Sequence, residues 1–234
     1  MARITPADWQ HLDCLHSEEK ATLAWLEEAL PDTYQLFAGL GWAATHGGGG
    51  SYFGEIDIAV LAPSGKLLVI EQKNGGLSAD NGQLVKRYGS QSKPVLSQIR
   101  RSLDALMRQW SAQHPGPTLA LEYLIYLPDY RVHDLSAVGL QADRVLDRER
   151  SNRLPEHILT LLAGEADPVR HQQVLDFLHN TASITQDLDV ASLRLDTRYQ
   201  QEGQALVTML RRLQLSPWRL RVQGPAGSGK TLIG

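Results

Sequence analysis

Residues 54–74 read GEIDIAVLAPSGKLLVIEQKN, and the fold turns on how this stretch pairs with itself. Two runs, Glu55 to Leu61 and Lys66 to Lys73, flank the turn residues Pro63-Ser64-Gly65, the pattern of an antiparallel hairpin. Alternation along the second run sets Leu67, Val69, Glu71 and Lys73 on one face and Leu68, Ile70 and Gln72 on the other. With Gly65 left-handed in a three-residue loop, Ala62 faces Lys66 and the register brings Asp57 directly opposite Glu71. A slip of one residue would send Asp57 to the other face. Two like charges meeting across strands repel, unless a cation lies between them. An oxygen-coordinated Mg²⁺ or Mn²⁺, with Lys73 alongside, meets that need. An isolated E-x-K tripeptide is equally an ordinary ion pair on a half-exposed strand, so the conjunction with Asp57 carries the argument.

Upstream, Ser17 to Leu30 has helical periodicity, with Ser17 as N-cap, Leu23, Leu26 and Leu30 on one side and Pro31 as the stop. Glu19 falls inside the apolar stripe, four residues after Leu15 and four before Leu23, where an unpaired carboxylate is costly. Two readings of Glu19 stay open: a supporting carboxylate of the Asp57 site, or the acid of a capping box at the helix start. A first strand is expected near Tyr34 to Trp42, followed by a loop over His46 to Ser51 with its four consecutive glycines.

Downstream of Lys73 a polar, glycine-rich connection leads to Val95, Ile99, Leu103, Leu106 and Trp110, which form one helical stripe. His114-Pro115-Gly116-Pro117 ends that helix, and Leu119 to Leu127 reads as a buried strand. The order is helix, three strands, helix, strand, an α/β arrangement. From Arg131 to Asp189 the pattern is mostly helical and acidic, a helical C-terminal connector without a chemical motif.

With 234 residues, 42% of them apolar and 21% charged, the chain suffices for one sizeable core and a smaller appendage. Its apolar runs are too short to span a bilayer and the N-terminus lacks the order of a signal peptide, so a cytoplasmic protein without a membrane partner is expected. Cys14 is the only cysteine, and the eight histidines show no zinc spacing with it; a catalytic metal has to sit on oxygen. The net charge of -3 is not that of a typical nucleic-acid binder. Between Gln83 and Arg108, however, Lys86, Arg87, Lys93, Arg100, Arg101 and Arg108 meet a single acid, Asp104. That asymmetry permits a positive strip for DNA phosphates; a plain solvated helix face is the other reading.

Taken together, residues 17 to 128 resemble the nuclease-related domain, NERD, a branch of the PD-(D/E)xK nuclease superfamily. The resemblance rests on Glu19 ahead of Pro31, the strand Gly54-Glu55-Ile56-Asp57, the strand Val69 to Asn74 followed by Gly75, and Lys93-Pro94 leading to Gln98. It implies a restriction-endonuclease-like αβββαβ core, a mixed central sheet flanked by helices, and metal-dependent hydrolysis of DNA, as an endonuclease or nickase rather than an exonuclease. Asp57, Glu71, the backbone carbonyl of Gln72 and Glu19 would then hold Mg²⁺ or Mn²⁺, and Lys73 would orient water or stabilise developing charge. Gln98, at the edge of the helical stripe, would join the catalytic set or be ordinary helix flank. Glu55 would be an outer ligand or, more simply, a solvated acid at a strand end. Gln72 departs from the apolar residue expected between Glu and Lys, which bears on packing more than on chemistry.

A second motif closes the chain. Gly224-Pro225-Ala226-Gly227-Ser228-Gly229-Lys230-Thr231 matches the phosphate-binding loop G-x-x-x-x-G-K-[ST] and follows the strand-like Arg219 to Gln223. Amides around Gly224, Gly227, Ser228 and Gly229 would cradle phosphates, Lys230 would reach the β and γ positions, and Thr231 would ligate Mg²⁺. The loop is similar to the start of a superfamily 1 helicase domain, with Gln201 or Gln204 as candidate adenine contacts. The expected organisation is a nuclease domain over 1–130, a connector over 131–200 and the beginning of a P-loop ATPase over 201–234. ATP binding is expected only in a longer protein with the helicase domain in cis, and no ATP hydrolysis from residues 1–234 alone. The alternative class is a catalytically inactive DNA-binding module serving an adjacent helicase.

Overall fold

The computed structural model describes residues 1–12, 14–45, 51–80, 83–88, 91–132 and 141–181. The chain divides into units 1–185 and 186–234, and every described residue belongs to the first. The segment 224–231 read as a phosphate loop, Gln201, Gln204 and the glycines of 47–50 lie outside the described residues.

The central layer is a six-stranded mixed sheet in the order β1-β2-β3-β4-β8-β9. Its strands are β1 (Arg3–Thr5), β2 (Gln35–Thr45), β3 (Ser51–Leu61), β4 (Leu67–Gln72), β8 (Leu121–Leu127) and β9 (Val145–Asp147). The β2-β3-β4 meander is antiparallel, whereas β4, β8 and β9 run parallel. Every residue of β4 is buried, as expected for the middle strand of a sheet covered on both sides. This arrangement fits the expected mixed α/β, nuclease-like core.

The hairpin forms in the anticipated register. Leu61 pairs with Leu67 and Ile58 with Ile70. Ala62 donates its N–H to the Lys66 carbonyl at 2.9 Å, and Gly65 takes φ +76°, the left-handed conformation that a side chain would oppose.

Alternation along the strands splits the core into two layers. Leu67, Val69, Leu61 and Ile125 pack with Ile99, Leu106 and Trp110 of α2 (Val95–Gln113), and with Phe177 and Leu178 of a helix over 168–181. On the other face, Leu68, Ile70, Val60 and Leu124 meet Leu23 and Leu26 of α1 (Ser17–Ala29), the Leu30 that caps it, and Leu154 and Ile158 of α3 (Leu154–Leu161). Each apolar stripe read from the sequence thus finds a sheet face.

Three regions differ from the sequence reading, the first being the unanticipated β1, which precedes α1 and pairs parallel with β2. The polar connection after Lys73 forms a second, antiparallel sheet of β5 (Leu77–Asp80), β6 (Gln83–Tyr88) and β7 (Gln91–Pro94). Val85 is buried, and Leu77 and Leu84 pack against the α2 side of the core, which gives these short strands the apolar support they need. The stretch after Arg131 is not purely helical, since β9 lies in it and extends the main sheet by pairing with β8. No helix among the described residues is long and apolar enough to cross a membrane.

Candidate active site

Asp57 sits at a break in the sheet. The β2–β3 ladder runs through Ala38↔Ile58 and Leu40↔Ile56 but omits the intervening Gly39–Asp57 pair, while the β3–β4 ladder stops at Ile58↔Ile70. Facing changes at the same point. Ile56 joins the α2-side cluster and Ile58 the α1-side cluster, although residues two apart in a regular strand share a face. Leu40 and Ala38 change sides in the same way across Gly39, whose φ of +58° permits the turn of the chain. The strands therefore twist together at Gly39 and Asp57. A Cβ on Gly39 would stand 2.8 Å from the Cys14 Sγ and 3.0 Å from a Glu55 carboxylate oxygen, so glycine is also needed for space.

Beyond that break, Asp57 bonds to the neighbouring strand by its side chain. Its carboxylate accepts the Gln72 N–H at 3.0 Å. Lys73 then returns toward both acids: its ammonium lies 3.6 Å from Asp57 Oδ2, forms an ion pair with Glu71 Oε1 and donates to the Gln72 carbonyl at 3.1 Å. Three oxygens, from Asp57, Glu71 and the Gln72 backbone, thus converge on one cation.

The electrostatics follow from burial. Glu71 is fully buried, and apart from the Lys73 ammonium neither of its carboxylate oxygens meets a donor among the described residues. Its pKa is pushed up to about 7, first by desolvation and then by the Asp57 charge, with Lys73 opposing. Glu19 shifts upward as well, again first by burial and then by Asp57. Glu19 is held by local structure, since its carboxylate accepts the His16 N–H at 2.8 Å at the start of α1. Both readings of Glu19 therefore find support in one side chain, which caps α1 and lies within the electrostatic reach of Asp57 and Lys73.

This donor set fits an oxygen-seeking divalent cation: two carboxylates and a main-chain carbonyl on one locus, one carboxylate buried with no other donor. Among the described residues no group of three His, Cys, Asp or Glu side chains stands together as a ready-made metal cage. A cation here would have to combine side-chain and backbone oxygens with water.

The remaining sequence candidates lie farther along the framework. Gln98 is half-buried in the first turn of α2, where its carbonyl accepts the Ser102 hydroxyl at 3.4 Å. Arg100, Arg101 and Arg108 are exposed on α2, and Arg108 donates to the Asp104 carbonyl at 3.2 Å. Lys86 and Lys93 are cross-strand partners in the small sheet, with Arg87 opposite Ser92. Their side chains, with that of Arg87, lie outside the described residues.

Sequence reasoning missed Gly39 and Trp42. The Trp42 ring lies where a side chain on Gly54 would have to go, and its indole N–H donates to Ser102 of α2 at 3.0 Å, which ties β2 to the helix. A glycine inside the apolar run from Leu36 to Trp42 was the available signal for the first. A second cluster of cations, Arg150, Arg153 and His157 beside α3, lines a separate cavity, but each has a partner in Asp147, Glu156 or the Asp143 carbonyl.

A mixed sheet with an acid at a strand break, an E-x-K strand beside it and helices on both faces is compatible with a nuclease-like core. Comparison with protein families agrees: residues 16–128 match the model of the nuclease-related domain, NERD. No curated protein and no solved structure gives a significant match. The family match covers Glu19, Asp57, Glu71, Lys73 and Gln98 alike, and it indicates a nuclease-related function for this part of the chain.

Proposed function

We propose that residues 16–128 form a divalent-metal-dependent deoxyribonuclease centre that cleaves within a strand. The observation that carries the reading is the convergence of Asp57 Oδ2, Glu71 Oε1 and the Gln72 carbonyl on one cation, the Lys73 ammonium. Asp57 and Glu71, with that carbonyl, would hold Mg²⁺ or Mn²⁺, and Glu19 would support them from α1. When bound, the metal lowers the pKa of a water and offsets charge on the phosphate. Lys73 orients the attacking water and stabilises the negative charge that builds on the phosphate oxygens. The water oxygen forms the new bond to phosphorus, the bond to one sugar oxygen breaks, and a proton ends on the leaving oxygen. Gln98 positions the substrate from the α2 side. Arg100, Arg101 and Arg108, with Lys86, Arg87 and Lys93, supply phosphate contacts that carry no sequence information.

We further propose that residues 201–234 begin a P-loop helicase or ATPase domain, with Lys230 and Thr231 at its phosphate site, preceded by the segment 131–200, whose described residues 141–181 pack into the nuclease unit. Support for this is the sequence Gly224 to Thr231 alone. The test of the nuclease reading is nicking of supercoiled plasmid with Mg²⁺, Mn²⁺ or EDTA. Wild type should nick with either metal and not with EDTA, and Asp57→Asn should lose about 100-fold or more, the scale of removing a group that acts in the transition state. DNA binding without metal-dependent nicking would favour a catalytically inactive module instead.

A further inference from the structure

The cation that bridges the acids belongs to the chain itself. Lys73 is 5% exposed, and its ammonium lies among the three oxygens that the proposed metal would use: paired with Asp57 Oδ2 at 3.6 Å and with Glu71 Oε1, and donating to the Gln72 carbonyl at 3.1 Å. Glu71 is fully buried, so without an adjacent cation its charge would be uncompensated in a low-dielectric setting. An ammonium and a divalent ion cannot both occupy the focus of one small set of oxygens, because they repel at contact distance where solvent screens little. We infer that Lys73 is the place-holder of the metal-free site, and that metal entry requires its ammonium to leave these oxygens and take a second position. The inference rests on the metal reading above and adds a step to it.

Geometry gives the exchange a direction. The Lys73 side chain is flexible and its charge is a point charge on a four-carbon stem, so it can swing while Asp57 and Glu71 stay fixed by their strands. The Asp57 carboxylate stays anchored throughout by the Gln72 N–H at 3.0 Å. Lys73 then has two tasks: it keeps two acids together before the metal arrives, and it stands beside the reacting phosphate afterwards. A residue that competes with the metal lowers the apparent metal affinity, so the protein trades tight binding for a site that is assembled in advance.

The test is calorimetric titration of EDTA-stripped full chain with Mn²⁺ alone, together with thermal melts of the metal-free protein, for wild type and Lys73→Met. The methionine keeps the length and apolar stem of the side chain but has no charge. Tighter Mn²⁺ binding by about tenfold or more, together with a lower melting temperature of the metal-free variant, is the expected pair of results. Lys73→Gln, which keeps a donor for the Gln72 carbonyl, serves if the methionine variant does not fold. Equal or weaker Mn²⁺ binding by the variants, with wild type binding normally, would overturn the inference and leave the metal reading standing. Tighter binding with no loss of metal-free stability would also overturn it, because Lys73 would then repel the ion without holding its place. Failure of wild type and variants alike to bind Mn²⁺ would remove the metal reading and this inference together.

Discussion

The two ends of the β3–β4 hairpin solve opposite problems. At the turn end, Gly65 donates to the Ala62 carbonyl at 2.9 Å, Asp167 donates its N–H to the Pro63 carbonyl at 2.9 Å, and the His171 ring bonds the Ala62 carbonyl at 2.9 Å. Arg170 lies over this turn with its guanidinium 4.6 Å from the Trp110 ring, which fastens the hairpin to α2. At the open end both ladders are interrupted at Asp57, and Glu71 is buried with one cation for company. One end is closed by ordinary polar satisfaction; the other concentrates charge that folding alone does not require. Stability is built at the first and spent at the second.

The largest effect expected from breaking this contrast comes from Glu71→Gln. Glu71 has its pKa pushed from 4.5 to about 7, so between those values the folded protein holds a proton that the unfolded chain has released. Folding stability of the metal-free protein should therefore fall as pH rises from about 4.5 to about 7, with the whole penalty present above that. The size is on the order of 3 kcal/mol for a shift of this extent. Glu71→Gln removes the titrating group, so its stability should lose this slope and exceed that of wild type at pH 8, while metal-dependent nicking drops by about 100-fold or more. Urea melts at pH 5 and pH 8 decide it, and equal pH slopes for the two proteins would mean that the open end carries no such strain.

At the turn end, Gly65→Ala should do the reverse. A side chain at φ +76° is disfavoured by about 1–2 kcal/mol, and its Cβ would run into Arg170, so the variant should melt several degrees lower. Its nicking rate at a temperature where it stays folded should match wild type. A large fall in nicking without a fall in melting temperature would show that the two ends are mechanically coupled, which the contrast between them denies.

Much of this arrangement was legible in the sequence because local rules and burial agreed. The Pro63-Ser64-Gly65 turn, the alternation from Leu67 to Ile70, and the stripe from Val95 to Trp110 each point to one conformation, and each is found as expected. Of what escaped, two features show why. The β5–β7 sheet was hidden because its strands span only four, six and four residues with few apolar positions, although Asn81-Gly82 is a strong hairpin dipeptide that could have flagged it. The twist at Gly39 and Asp57 was hidden for a different reason. Sequence periodicity assumes regular strands, and both strands change facing at that point. Asp57 was placed opposite Glu71 by counting, but its bond to the Gln72 N–H replaces the next rung of the ladder, a detail no count supplies.

The smallest effect should come from Glu19, where a helix cap and the charged end of the hairpin meet. Glu19→Gln keeps an oxygen able to accept the His16 N–H, so the cap survives and stability should change by no more than about 0.5 kcal/mol. Glu19→Ala removes the acceptor and should cost about 1 kcal/mol, the usual range for a lost cap. The two variants thereby separate structure from chemistry. If Glu19 supports the metal site, both lose activity in the plasmid assay by a similar factor of about ten, because both lack the charge that Asp57 and Lys73 sense there. If Glu19 only caps α1, glutamine nicks at the wild-type rate and alanine is impaired only as far as it is less stable. A glutamine variant that is as stable as wild type yet slower with Mn²⁺ would extend the charged end of the hairpin onto α1.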